Sequence, residues 1–217
     1  MLDMKISRQV DRRPQILDAA ERCFAQAGFH RTTMQDVARD AGMVPGNLYR
    51  YFPSKNAIVA GLIERDRADL AADFACLSSA PKLMDAFKIL GRKHFADQPR
   101  EKALIALHIW SEAALDRQIS ALVAEIQTEV RDGIINVCSM AKKSGQIHQD
   151  VDLDALARLI LTLSDGLIRR RAIEPDFDCD CEVENTLCLI GAVLDGTVKL
   201  SASIEKPPIN RIDPIGN

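Results

Sequence analysis

Between Pro45 and Lys55 the chain reads Pro-Gly-Asn-Leu-Tyr-Arg-Tyr-Phe-Pro-Ser-Lys, and several of these side chains are of the kinds that read nucleic acid. A carboxamide such as Asn47 can pair with the edge of adenine, and a guanidinium such as Arg50 with guanine. The Tyr49 hydroxyl can donate to a phosphate, and Gly46, beside Pro45, lets the backbone come close. Lys55 stands where a helix should begin, and a cation there opposes the helix dipole. The arrangement is more easily understood if a phosphate sits over that helix start. Catalysis finds no such support. The residues three before His30, His94, His108 and His148 are Ala27, Gly91, Ile105 and Gly145, so no Glu-x-x-His pair exists for a di-iron site. The sequence also has no G-x-S-x-G, G-x-G-x-x-G, phosphate loop or H-E-x-x-H. We expect no catalytic residue, no metal and no cofactor, and an enzyme on a helical bundle is the reading these absences oppose.

The elements that must position the DNA-reading residues are two short helices and a third. Thr33 and Asp36 have the spacing of a capping box, and Met34, Val37, Ala38 and Ala41 follow at helical period. The spacing predicts a helix from near Thr33, stopped at Gly42, and a second helix from about Pro45. Leu48 and Phe52, one turn apart, anchor that second helix and leave Pro45, Gly46, Asn47, Tyr49 and Arg50 facing outward. Phe52 reads as core; Tyr49 and Tyr51 can be read either as core or as contacts. Ser54 is the expected cap of the next helix. Two short helices joined by a Gly-containing turn can lay one of them in the major groove.

Residues Ile16 to Leu62, through ILDAAERCFAQAGF, TTMQDVARDAGM and GNLYRYFPSKNAI, resemble the N-terminal domain of the TetR family of bacterial transcriptional regulators. The resemblance implies an all-α protein: a three-helix DNA-binding domain, a connecting helix from Lys55, and a helical C-terminal domain that dimerises and binds a small ligand. It further implies that Thr33, Tyr49 and Lys55 contact phosphates, while Pro45, Gly46, Asn47 and Arg50 face the bases. Val44 departs from the Ser that commonly caps the recognition helix, and Tyr51 replaces a frequent His. The stretches WSEAALDRQ, SGQIHQDVDLDALARL and DGL are similar to the C-terminal domain of the BetI-like subset, which transfers no particular ligand to this chain. The implied function is a ligand-responsive repressor that binds an inverted-repeat operator as a homodimer.

Charge is consistent with that division. The net charge of −3 conceals 9 Lys and Arg against 6 Asp and Glu up to residue 56, leaving 19 against 25 beyond it. An electrostatic footprint at one end is what DNA affinity requires. Lys5, Arg8, Arg12 and Arg13 form an N-terminal arm, either a backbone or minor-groove contact or a solvated tail. No stretch is long and apolar enough to span a membrane and no signal peptide is evident, so a cytoplasmic protein is expected. The six cysteines lack zinc spacing or a disulfide framework. Cys179-Asp-Cys181 falls in an acidic loop where oxidation could be sensed, which leaves a redox-responsive regulator as the alternative function. Asp176, Asp178, Asp180 and Glu182 would blunt thiol reactivity there.

We divide the chain into a DNA-binding part (1–54), a helical ligand-binding and dimerisation part (55–200) and a loosely ordered tail (201–217). Helices are expected from Lys55 to about Leu77, Lys82 to Ala96, Glu101 to Leu115, Gln118 to Lys143, Leu153 to Arg171 and Glu182 to Lys199. The last two are apolar over more than one face, at Leu156, Leu159, Ile160, Leu163, Leu187, Ile190, Val193 and Leu194. They read as buried core, or, as the resemblance implies, as a four-helix dimer interface. For the ligand, His108, Ser111 and Glu112 share a face that can anchor a polar group, with Trp110, Phe87 and His94 as walls. The simpler reading makes Glu101, His108, Glu112 and Asp116 one solvent stripe.

Overall fold

A computed structural model describes residues 11–201, and among these every regular element is helical. Helix α1 (Arg13–Ala27) carries Pro14 in its first turn, and buries Ile16, Leu17, Ala20 and Phe24. Arg12 is its N-cap and Arg13 its first residue, so the expected N-terminal arm is shorter than Arg13; Lys5 and Arg8 lie outside the described residues, as does the tail beyond Ser201.

Helix α2 (Met34–Asp40) starts as its capping box requires. The Thr33 hydroxyl accepts from the Asp36 N–H at 3.1 Å, and the Asp36 carboxylate accepts from the Thr33 N–H at 3.0 Å. It ends because Gly42 takes φ 63°, which lets the Met43 N–H reach the Ala38 carbonyl at 2.9 Å and the Gly42 N–H reach Arg39 at 3.1 Å. Helix α3 (Pro45–Tyr51) follows, with Pro45 in its first turn and no side-chain cap from Val44. Helix α4 (Lys55–Ser79) is capped by Ser54, which accepts from the Ala57 N–H at 3.1 Å.

Helix α5 (Leu83–Gly91) does not continue to Ala96 as expected. Residues Arg92–Ala96 form one π-helical turn, closed by the Asp97 N–H on the Arg92 carbonyl at 2.8 Å. The periodicity of the sequence runs through this turn because a π-turn inserts one residue without interrupting the helix axis. Helices α6 (Arg100–Ala113), α7 (Arg117–Lys143, capped by Asp116) and α8 (Leu153–Ile173, capped by Asp152) lie close to expectation. Helix α9 (Cys179–Leu194) is displaced from the expected Glu182–Lys199. Asp178 caps it by accepting from the Cys181 N–H at 3.0 Å, with Asp180 and Glu182 in its first turn, where acids suit the helix dipole. It stops before Gly196, whose φ of 82° ends the helical path.

The cores are continuous across the expected division at residue 55. Ile16, Phe24, Val37, Leu48 and Phe52 pack with Ile58, Val59 and Leu62 of α4, and with Ile105, Ile109 and Ile119 from α6 and α7. A second core joins α4, α5, α7, α8 and α9 through Leu77, Leu83, Val137, Leu156, Ile190 and Val193. The helix-turn-helix is therefore seated on the central helices rather than tethered to them.

Candidate nucleic-acid interface and ligand cavity

Helix α3 has one buried anchor, Leu48, with Phe52 buried just after it. This leaves Val44, Pro45, Gly46, Asn47, Tyr49 and Arg50 exposed. No side chain of the described residues binds Asn47, Tyr49 or Arg50, so their donors and acceptors are available to a duplex. The α2–α3 turn beneath them is held by Gln15, whose amide donates to the Ala41 carbonyl at 2.8 Å.

Three of the expected contacts sit differently. Tyr51 is half-buried and packs against the first core, because it lies on the Leu48 side of a seven-residue helix. The Thr33 hydroxyl is exposed but already donates to Asp36 at 2.6 Å, so a phosphate would compete with the capping box. Lys55 does not stand over its own helix start. Its ammonium donates to the Phe29 carbonyl at 2.8 Å and the His30 carbonyl at 3.3 Å, and lies 4.5 Å from the centre of the Phe29 ring. A carbonyl pair and an aromatic face together hold a cation well, so here Lys55 pins the α1–α2 loop.

The polar face of α6 meets that same loop. Glu112 is buried and pairs with His30 at 3.0 Å, and His108 lies beside Gly28. Asp116 caps α7 and accepts from the Asn56 amide at 2.8 Å. Glu21 of α1 receives both Arg65 of α4 and Lys102 of α6, while Arg65 also reaches Asp18 at 2.9 Å. The face differs from both sequence expectations: His108 and Glu112 are not in the wall of the cavity that Phe87 and His94 line and form no solvent stripe with Glu101 and Asp116, but join the DNA-binding helices to the rest. Trp110 and Ser111 are likewise absent from the cavity, Trp110 half-buried and Ser111 exposed. A polar stripe on a helix marks where water or polar partners lie, and the sequence does not distinguish the two.

The cavity lies between α4, α5, the π-turn, α7, α8 and α9, with a volume of about 140 Å³. Of the expected ligand residues, Phe87 and His94 line it. Phe74, Phe95, Leu70, Ile160 and Leu187 supply further apolar wall, and its polar groups are Asp73, His94, Ser164 and Thr186. Asp73, missed from the sequence, is buried; its two oxygens are each 2.6 Å from a donor, Lys93 Nζ and His94 Nε2. Burial would raise its pKa, but the hydrogen bonds from Lys93 and His94, with their charges, outweigh this and hold the carboxyl below its ordinary value. The π-turn bearing Lys93 and His94 is itself fixed: the Phe95 carbonyl accepts from Arg171 at 2.7 Å and from the Cys179 thiol at 2.9 Å.

Cys179 is thus buried and engaged, while Cys181 is exposed two residues on. Positions i and i+2 of a helix do not face each other, so the fold offers no thiol pair for the redox alternative. Of the expected dimer residues, Leu156, Leu187, Ile190, Val193 and Leu194 are buried inside the protomer, and Ile160 lines the cavity. Only Leu159 and Leu163 remain half-buried and outside the cavity wall. The outer faces of α8 and α9 instead carry Thr162, Gly166 and Arg169, and Cys181, Asn185, Cys188 and Leu189. No described helix is long and apolar enough to cross a membrane.

Comparison with known proteins agrees with this layout. Residues 16–62 match the family described as bacterial regulatory proteins, tetR family, and residues 92–188 match the BetI-type transcriptional repressor C-terminal domain. The transcriptional regulator UidR of Escherichia coli is 25% identical over 170 residues, covering 77% of this chain and 85% of UidR. TtgR of Pseudomonas putida is 30% identical over 186 residues, covering 76% of this chain and 81% of TtgR. The solved structure of the regulator FadR from Bacillus subtilis, in complex with stearoyl-CoA, has the same fold, with a TM-score of 0.73 at 18% identity over 83% of this chain and 98% of that one. With an exposed recognition helix on a capped helix-turn-helix and both halves matched, the chain belongs to the TetR family and is a DNA-binding transcriptional regulator.

Proposed function

We propose that this protein is a cytoplasmic repressor that binds an inverted-repeat operator as a homodimer and leaves it when a small molecule fills the cavity beside Asp73 and His94. The observation that carries this is the pairing, in one chain, of an unengaged α3 surface with a cavity on the helix that follows it. Asn47 and Arg50, with Pro45 and Gly46, face the bases; Tyr49 and Thr33 reach the backbone; Lys55 holds the loop that positions them. Residues up to 54 supply the DNA contacts, and 55–200 supply the cavity and the dimer.

Helix α4 follows α3 after a short turn, shares a core with its Leu48, and contributes Leu70, Asp73 and Phe74 to the cavity wall. A ligand that favours one position of α4 shifts the spacing of two recognition helices, provided that it binds the two dimer geometries with unequal affinity. Dimerisation through the outer faces of α8 and α9 sets those helices about 34–36 Å apart for half-sites one turn apart. The test is sedimentation of the free protein together with footprinting on its operator. A dimer protecting two half-sites on one DNA face supports the reading, and a monomer protecting one half-site refutes it.

A further inference from the structure

The exposure of Val44 has no explanation within the fold, and we propose that this residue determines operator specificity: Val44, with Pro45 beside it, packs on the 5-methyl group of one thymine in each half-site. The proposal rests on α3 being the element that reads bases. Val44 is 63% exposed, more than any other large apolar side chain of the helix-turn-helix. It occupies the N-cap of α3 with the extended backbone of a capping residue, φ −76° and ψ 144°, yet its side chain caps nothing. Thr33 and Ser54 do cap the helices on either side. Ser, Thr, Asp or Asn at an N-cap stabilises a helix by satisfying a free N–H, which Val cannot do. Val44 thus gives α3 no cap and the core little buried area. Its two methyl groups have most to gain from an apolar partner outside the protomer.

In a helix-turn-helix the N-terminal residues of the recognition helix are the ones that meet base edges in the major groove. Asn47 and Arg50 bring hydrogen-bonding side chains to them, whereas the side chains of Val44 and Pro45 have no donor or acceptor, and Pro45 has no N–H. The Val44 carbonyl is already engaged, accepting from the Asn47 N–H at 3.0 Å. What this corner of the surface offers a base pair is therefore carbon. The one methyl group that a base presents in the major groove is that of thymine; the other bases present donors and acceptors there. Setting those against Val44 strips them of water without a new hydrogen bond, which is unfavourable. The same contact thus favours thymine and disfavours the alternatives. The space beside Gly46 is open, since no side chain beyond its two neighbours lies within 4 Å of where its Cβ would stand, so a base pair can come up to Val44 and Pro45.

The experiment measures the affinity of the full-length protein for the duplex that the wild type selects from a random pool, with each thymine replaced in turn by deoxyuridine, which lacks only the methyl group. Replacing one particular thymine in a half-site should weaken wild-type binding by about fourfold, the value of one buried methyl. The same replacement should change the affinity of Val44→Ser, which removes both methyl groups, by less than about 1.5-fold, the hydrophobic contact being gone. A wild-type scan with no methyl-dependent position overturns the assignment, and needs no variant to do so. A dependence that persists undiminished in Val44→Ser overturns it as well, by giving the thymine contact to another residue. The two readings fail differently: without methyl dependence, but with the preference relaxed by Asn47→Ala, α3 still reads bases and Val44 alone loses its role, whereas a protein that selects no sequence overturns both.

Discussion

Nε2 of His30, in the loop between α1 and α2, lies 3.0 Å from Oε1 of Glu112 on α6, and Lys55 grips the carbonyls on either side of the same bend. The Glu112 side chain is nearly buried while His30 is mostly exposed. The base of the helix-turn-helix is thereby fastened to a helix of the central bundle. Truncating Glu112 to Ala removes the buried end of this link. The variant should keep an operator-binding fold but lose about 1–2 kcal/mol of stability by urea denaturation, the cost of a charged hydrogen bond. A loss below about 0.3 kcal/mol would mean that the pair is a solvated contact of the kind that contributes nothing measurable.

Lys55 separates two roles that the sequence leaves merged. A lysine on a DNA phosphate lowers the salt dependence of binding by about one unit when removed. A lysine that pins a loop leaves the salt slope unchanged and costs folding stability instead. With its ammonium on Phe29 and His30, Lys55→Met should destabilise by about 1.5–3 kcal/mol and leave the slope intact. The slope of operator binding between two salt concentrations checks this, with Tyr49→Phe as the variant expected to weaken all sequences alike.

Gly61 faces the anchor of the recognition helix. A Cβ there would lie 2.8 Å from the Phe52 ring and 3.1 Å from Leu17, closer than side chains pack. Gly61→Ala should therefore cost about 1–3 kcal/mol through overpacking, against the small gain usual for Gly to Ala in a helix. Because Phe52 sits directly after α3, operator affinity should fall with it. A stabilised variant in thermal melting would contradict the close approach.

Asp73 carries a pH signature. Its carboxyl is held below its ordinary value of 3.8, so the folded state binds this proton less readily than the unfolded chain. Its contribution is complete above that ordinary value and is lost as pH falls through the lower, folded one. The stability gap between wild type and Asp73→Asn should be widest near pH 7 and narrow below about pH 4. Denaturation curves at the two pH values measure the gap, and a gap that widened in acid would reverse the sign assigned to the Lys93 and His94 bonds.

The parts of the molecule legible in the sequence are those fixed by neighbours along the chain. Thr33 with Asp36, then Gly42 and Pro45, determine α2, its turn and α3 within a dozen residues. The signal for the start of α9 was equally local, in Asp178 and the acids after it, but the Asp-Cys-Asp-Cys composition resembles a loop. The cavity was legible only at Phe87 and His94; Asp73 was not, because it meets His94 only after α4 and the π-turn fold together. The apolar faces of α8 and α9 pose the opposite difficulty: Leu156, Ile190 and Val193 are as apolar as any interface residue, and burial within the protomer is decided by α5 and α7. His108 and Glu112 illustrate the same point for polar residues, since their partner is the α1–α2 loop, about eighty residues away in sequence.

The central claim is that the exposed edge of α3 reads DNA as one half of a symmetric pair. Selection of bound duplexes from a random pool by the purified protein, at two salt concentrations and alongside Asn47→Ala and Arg50→Ala, tests it most directly. The account predicts an enriched inverted repeat for the wild type, with relaxed preference at one symmetric position in each variant, worth about 1–3 kcal/mol per base contact. An enriched site without two-fold symmetry, or preferences that survive both substitutions unchanged, would contradict it.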